Sequence, residues 1–277
     1  MRLPPYYGLY TYLIVVVFHL YLIVNIEYIY LFINKVLYVI VKFTMSTQTT
    51  EYILTDAETG GRDPAKHSLL SLYMTLVYFK NGVPTLKLDE ADRETDKQLD
   101  LFEGTYGGFV NSNAMSLMVK PNSGNYVVEA DALAVNKIDL VAHDKYAITY
   151  DRAGDCLVDY LLSIRKKSFF DSTKIHRLVF MGWNPEYDVR AITEHLLSSN
   201  QRAKDVFNAT MSYSSFDVKS IAMANKEQGL LPPDLHLSLG NVARFFNLNT
   251  ENAHNAQADC MLTLEVLKCL LEDQKQK

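Results

Sequence analysis

The chain has 277 residues with 27 Lys+Arg against 32 Asp+Glu, a formal net charge of −5. That balance excludes a protein that holds duplex nucleic acid by neutralising phosphates across a broad basic surface. Any nucleic-acid contact should be local, with metal ions supplying positive charge. Cys156, Cys260 and Cys269 have no CxxC spacing, so neither a disulfide framework nor a zinc site is indicated, and a reducing, cytoplasmic setting is expected.

Residues 1–44 form an apolar extension whose only charges are Arg2, Glu27, Lys35 and Lys42. Its two apolar runs, 9–24 and 28–41, each fall short of the roughly 20 residues a membrane helix needs. One continuous helix would carry Glu27 into the bilayer at a cost of roughly 2.5–3.5 kcal/mol. A secretory signal is poorly supported, because a basic start and a small-residue cleavage site are missing. Two readings stay open: a mis-assigned start, with Met45 the natural first residue, or a membrane anchor. Without this segment Lys+Arg falls to 24 and Asp+Glu to 31, a balance near −7, and residues 45–277 suit one large domain.

Within that domain, residues 51–56 and 69–79 read as strands, and Asn81-Gly82 supplies the positive-φ pair of a tight hairpin. Residues 88–113 are acidic and glycine-containing and read as an insertion. A strand is expected at 114–119, a turn at Pro121-Asn-Ser-Gly, and helices at 131–135 and 154–166. A buried strand at 178–181 precedes a helix through 191–198. Further helices are expected at 216–224, 239–246 and 256–272. The order predicts an α/β fold with a mixed sheet flanked by helices.

Three clusters stand out. Asp56-Ala57-Glu58 closes the first strand, where i and i+2 side chains share a face, and Thr59-Gly60-Gly61 follows, with glycines that let backbone approach a ligand. Asn184-Pro185 after the strand at 178–181 reads as an N-cap and first helical residue, which puts Asp188 in the first turn. His254 precedes the last helix and Asp259 opens it. Five helical residues turn about 500°, so the two cannot share a helical face. The histidine should therefore reach over a site that Asp259 enters from its first turn. Each cluster alone has an ordinary structural explanation as solvated surface or helix capping.

Together they resemble the DEDDh (DnaQ-like) family of 3′–5′ exonucleases, which includes the proofreading subunit of bacterial DNA polymerase III and RNase T. The family's Asp-x-Glu-Thr-x-Gly is met by Asp56, Glu58, Thr59 and Gly61. Its Asn and Asp four residues apart are met by Asn184 and Asp188, with an aromatic at Tyr187. Its His and Asp five apart are met by His254 and Asp259. Residues 132–138 also look like a family segment. Trp183 departs from the family, standing where many members carry His, and so does Gly60, where many carry Thr.

The resemblance implies a ribonuclease H-like five-stranded sheet and a phosphodiester hydrolase with two Mg²⁺ or Mn²⁺ ions. Asp56, Glu58, Asp188 and Asp259 would hold the metals and His254 would act as base. Thr59, Gly60, Gly61, Trp183, Asn184 and Tyr187 would lie near the substrate. The substrate would be the 3′ end of single-stranded DNA, with RNA as the alternative, and the product a nucleoside 5′-monophosphate. A catalytically silent nucleic-acid-binding subunit is the competing class, and the five intact chemical positions speak against it. No residues are left for a polymerase, so proofreading would occur in trans. Inside the insertion, Gln98-Leu99-Asp100-Leu101-Phe102 resembles the pentapeptide with which replication proteins dock on a sliding clamp.

Overall fold

A computed structural model of the chain describes residues 50–86, 108–110, 113–168, 177–251 and 254–273. The chain divides into two units at Thr49/Thr50, and the fold described is that of the second. The apolar extension and the pentapeptide 98–102 lie outside the described residues.

Strand β1 (Glu51–Thr59) pairs antiparallel with β2 (Leu69–Lys80), which turns through Asn81-Gly82 into β3 (Val83–Leu86). Both turn residues have positive φ, 53° and 77°, as a primed hairpin turn requires. β4 (Gly108–Val110) and β5 (Ala114–Lys120) extend the sheet beyond β2. The end of the expected insertion is therefore strand rather than loop.

Helices α1 (Ala130–Asn136) and α2 (Leu140–Tyr146), the short β6 (Ile148–Thr149) and the long α3 (Tyr150–Ser168) follow. β7 (Leu178–Gly182) then pairs parallel with β1 and leads into α4 (Pro185–Ile192), which continues as a π-helical turn, Thr193–Leu197. α5 (Gln201–Thr210), β8 (Met211–Asp217), α6 (Val218–Glu227), α7 (Leu239–Phe245) and α8 (Ala256–Asp273) complete the chain.

The strand order is β4-β5-β2-β1-β7-β8, with β3 on β2 and β6 on β5. Eight strands occur among the described residues, three more than the five expected. The additional ones, β3, β4 and β6, have four, three and two residues and give little periodic signal. The helix expected to start at 216 starts at Val218, because residues 211–217 form β8.

Alternation along the strands divides the apolar side chains between the two faces. Ile53, Leu72, Met74 and Leu117 join Leu157, Leu161, Ile192 and Phe207 from α3, α4 and α5. Leu54, Tyr73, Val77 and Met181 join Ala222, Val242, Cys260, Val266 and Leu267 from α6, α7 and α8. β1 is covered on both faces, so its polar end is held in a dry surrounding. That placement sets the chemistry of its two carboxylates.

Candidate metal centre

Leu54 faces α8, and the period of two puts Asp56 and Glu58 on the same face, toward the first turn of that helix. After Glu58 the register with β2 shifts: Glu58 pairs Ser71, whereas Thr59 pairs Leu69. Such irregularities re-aim side chains at strand ends. Asp56, Glu58 and Asp259 offer carboxylate oxygens that all lie within 4.8 Å of one another. The first and last expected clusters thus meet, about 200 positions apart in sequence.

Asp188 arrives from the first turn of α4, almost fully buried. Its Oδ1 accepts a hydrogen bond from the backbone N–H of Ala57 at 3.0 Å. One of its oxygens is thereby tied to the strand that carries Asp56 and Glu58, and its charge acts on Asp56.

Electrostatics record the crowding. Burial pushes the Asp56 carboxyl well above the usual carboxylate range, with Asp188, Glu58 and Asp259 adding in that order. Glu58 is pushed up to about 7, by burial first and Asp259 second. Burial raises Asp188 strongly, opposed by the Ala57 hydrogen bond. It raises Asp259 as well, opposed by His254. Beyond these hydrogen bonds, added positive charge is what would stabilise the crowded carboxyls as anions.

A further observation fits a cation. Asp259 Oδ1 is buried and makes no hydrogen bond, while its Oδ2 accepts from the His254 N–H at 3.2 Å. A buried carboxylate oxygen without a partner, in a residue that approaches two other carboxylates, is a costly arrangement that a metal ion would relieve. The all-oxygen set suits a hard cation such as Mg²⁺ or Mn²⁺.

His254 stands outside α8, exposed, with a left-handed φ of 70°. It borders a small cavity of about 330 Å³ together with Glu58, Ser71, Lys137 and Tyr146. Its position before the helix is the one expected from the helical-rotation argument.

A larger cleft of about 990 Å³ reaches Glu58 and is lined by Glu58, Thr59, Gly61, Arg62 and Tyr187 together with Glu129, Asp131 and Asn136. Asn136 Nδ2 donates to the Thr59 carbonyl, and the Glu129 N–H donates to the Gly60 carbonyl at 2.6 Å. Arg62, Glu129, Asp131 and Asn136 were not singled out from the sequence. For the last two the sequence offers the expected helix at 131–135 and the family-like segment 132–138, which overlap α1.

The remaining expected substrate-side residues divide. Thr59, Gly61 and Tyr187 line the larger cleft. Gly60 and Gly61 do allow close approach, but of protein: a Cβ on Gly60 would lie 2.6 Å from Val128 Cγ1, and one on Gly61 would lie 2.5 Å from the His67 ring. Trp183 packs against the α8-side core. Asn184 occupies the N-cap position but makes no side-chain cap; its φ is 65°, and its N–H donates to Asp217 Oδ1 at 3.0 Å. Trp183 and Asn184 line neither of these two cavities.

No family model matches this chain, and no curated protein matches it. Among solved structures it is similar to exonuclease I, in a structure described as suggesting how processivity is achieved, at TM-score 0.51 and 14% identity. E. coli exonuclease I in complex with a dA16 oligonucleotide gives TM-score 0.51, and the complex with dT13 gives 0.50, both at 14% identity. Each match covers 82% of this chain and 42% of the exonuclease chain. At this identity the likeness is one of fold.

Proposed function

We propose that the chain is a metal-dependent 3′–5′ exonuclease that removes nucleoside 5′-monophosphates from single-stranded DNA. The observation that carries this reading is the convergence of Asp56, Glu58 and Asp259, with Asp188 tied to the same strand, in a fold shared with exonuclease I. The spine β5-β2-β1-β7-β8, antiparallel in its first three strands and parallel in its last three, fits the ribonuclease H-like sheet the sequence resemblance implies.

Asp56, Glu58, Asp188 and Asp259 would hold two Mg²⁺ or Mn²⁺ ions. Bound there, the ions would supply positive charge against the transferring phosphate and acidity for water at neutral pH. The protein's own part is to collect the carboxylates in a dry site and to fix their directions. His254, exposed at the rim, takes the proton of the attacking water; an imidazole is suited to that task near neutral pH. Tyr187, Thr59 and Gly61 line the cleft that receives the strand end, and Gly60 joins the turn to Val127 and Val128. Trp183 and Asn184, at the C-terminal end of β7, would contact the strand outside both cavities.

The test uses a 5′-labelled oligonucleotide, as DNA and as RNA, with Mg²⁺. Progressive shortening from the 3′ end with release of mononucleotides supports the reading, and the faster arm names the substrate. Internal cuts or 5′ mononucleotide release from the labelled end contradict it. We further propose that Gln98–Phe102 docks on a sliding clamp, so that the chain serves a polymerase in trans. Capture by a cognate clamp, lost on Leu101→Ala with Phe102→Ala, is the expected result.

A further inference from the structure

The turn after β1 is held by an arrangement the carboxylate chemistry does not itself require. Tyr187 immediately precedes Asp188 on α4. Its hydroxyl lies 2.5 Å from Thr59 Oγ1 and donates to the Gly61 carbonyl at 2.8 Å. Thr59 Oγ1 also contacts the Gly61 carbonyl, at 2.7 Å. With the Asp188–Ala57 bond, two consecutive residues of α4 grip β1 and its turn at positions 57, 59 and 61. The grip brackets Glu58, at the place where the β1–β2 register shifts.

The hydrogens in this group can be counted. Three oxygens make three mutual contacts, but only the two hydroxyls carry protons, and the carbonyl is purely an acceptor. One contact therefore always lacks a proton: in a relay one hydroxyl donates to the other and that one donates to Gly61, which leaves the first hydroxyl's contact with the carbonyl without one. Each hydroxyl sets the orientation of its neighbour. Loss of either should release the turn about as far as loss of both.

We propose that the Tyr187 hydroxyl, acting with Thr59, is a positioning group for Glu58: it locks the turn behind the bulge and so fixes where the Glu58 carboxylate stands relative to Asp56 and Asp259. This rests on the metal-dependent reading of the site. It assigns Tyr187 a role beyond lining the cleft. Groups that orient metal-binding side chains typically change affinity or activity about 10–100-fold when removed.

The experiment compares wild type, Tyr187→Phe, Thr59→Val and the double variant. Two quantities are read: the Mn²⁺ concentration at half-maximal rise of the melting temperature, and kcat and KM on a single-stranded DNA oligonucleotide. The expected result is a Mn²⁺ midpoint raised about 10-fold in each single variant, with no further rise in the double. The rate constant kcat should fall by a similar factor while KM stays within about twofold. A raised KM with unchanged kcat and Mn²⁺ midpoint would show substrate contact instead, and overturn the proposal. A lowered melting temperature without metal, with the Mn²⁺ midpoint unmoved, would show a merely structural role and overturn it too. The metal titration needs no turnover, so a failure of the nuclease reading is seen separately, as wild type that binds Mn²⁺ and hydrolyses nothing.

Discussion

Asp188 and Ala57 are joined by a 3.0 Å hydrogen bond from the Ala57 N–H to the Asp188 carboxylate, between residues 131 positions apart. This bond carries structure as well as charge. It satisfies a backbone donor near the C-terminal end of β1 while placing a fourth acid beside Asp56. The two roles separate by substitution. Asp188→Asn keeps an acceptor for Ala57, whereas Asp188→Ala leaves that N–H buried and unpaired, at a cost of about 1–3 kcal/mol. In chelator, urea unfolding should rank Asp188→Asn above Asp188→Ala by that margin, with activity lost in both. Equal stability of the two would mean that the bond does not hold the strand.

Glu58 makes the metal-free protein sensitive to pH. Its folded carboxyl is raised from 4.5 to about 7, so the folded state binds the extra proton. The associated stability is fully present below about pH 4.5 and is lost as pH rises through 7, a change of about 3 kcal/mol. Glu58→Gln removes this penalty. In chelator the variant should be more stable than wild type at pH 8 and should converge with it near pH 4.5. Stability curves that run parallel across that range contradict the assignment.

Gly60 lies against Val127 and Val128, the residues that lead into α1. A Cβ there would come 2.7 Å from the Val127 carbonyl oxygen, which is backbone and cannot swing aside. Gly60→Ala should therefore cost about 1–3 kcal/mol in thermal or urea unfolding. It should also weaken the pairing of the Glu129 N–H with the Gly60 carbonyl, seen as faster amide exchange at Glu129. Wild-type stability and exchange would show that the segment yields freely.

His254 and the carboxylates should separate in their effects. The convergent group is Asp56, Glu58 and Asp259, without His254, so His254→Ala should retain a Mn²⁺-induced rise in melting temperature. Its turnover should fall by about 10²–10⁴. Asp56→Ala should lose both. Turnover by His254→Ala at the wild-type rate would remove the histidine from the proton-transfer role.

How much of this was legible beforehand depended on where each signal resides. Asp56 and Glu58 were readable because a strand period of two, a following turn and a fixed spacing are all local. The same holds for Asn81-Gly82, whose turn requires positive φ at both residues. Strand β8 was not readable: Met211–Asp217 contains Ser212, Ser214 and Ser215, and its middle three residues are exposed, so it lacks the apolar alternation of a half-buried strand. α2 was missed because its one buried residue is a histidine, His143. The Val127–Val128 partners of Gly60 and the Tyr187–Thr59–Gly61 contacts are tertiary, spanning up to 128 positions, and no local pattern encodes them. The eight-stranded count escaped for a related reason, since β4 and β6 are too short to carry a period.

The most direct test of the central claim follows a 5′-labelled single-stranded DNA under the full chain and under Asp56→Asn, purified in parallel, with Mg²⁺ or with EDTA. The account predicts stepwise shortening from the 3′ end by the wild-type protein in Mg²⁺ alone, and none by the variant in either condition. Shortening in EDTA, or an equal rate by Asp56→Asn, would contradict it.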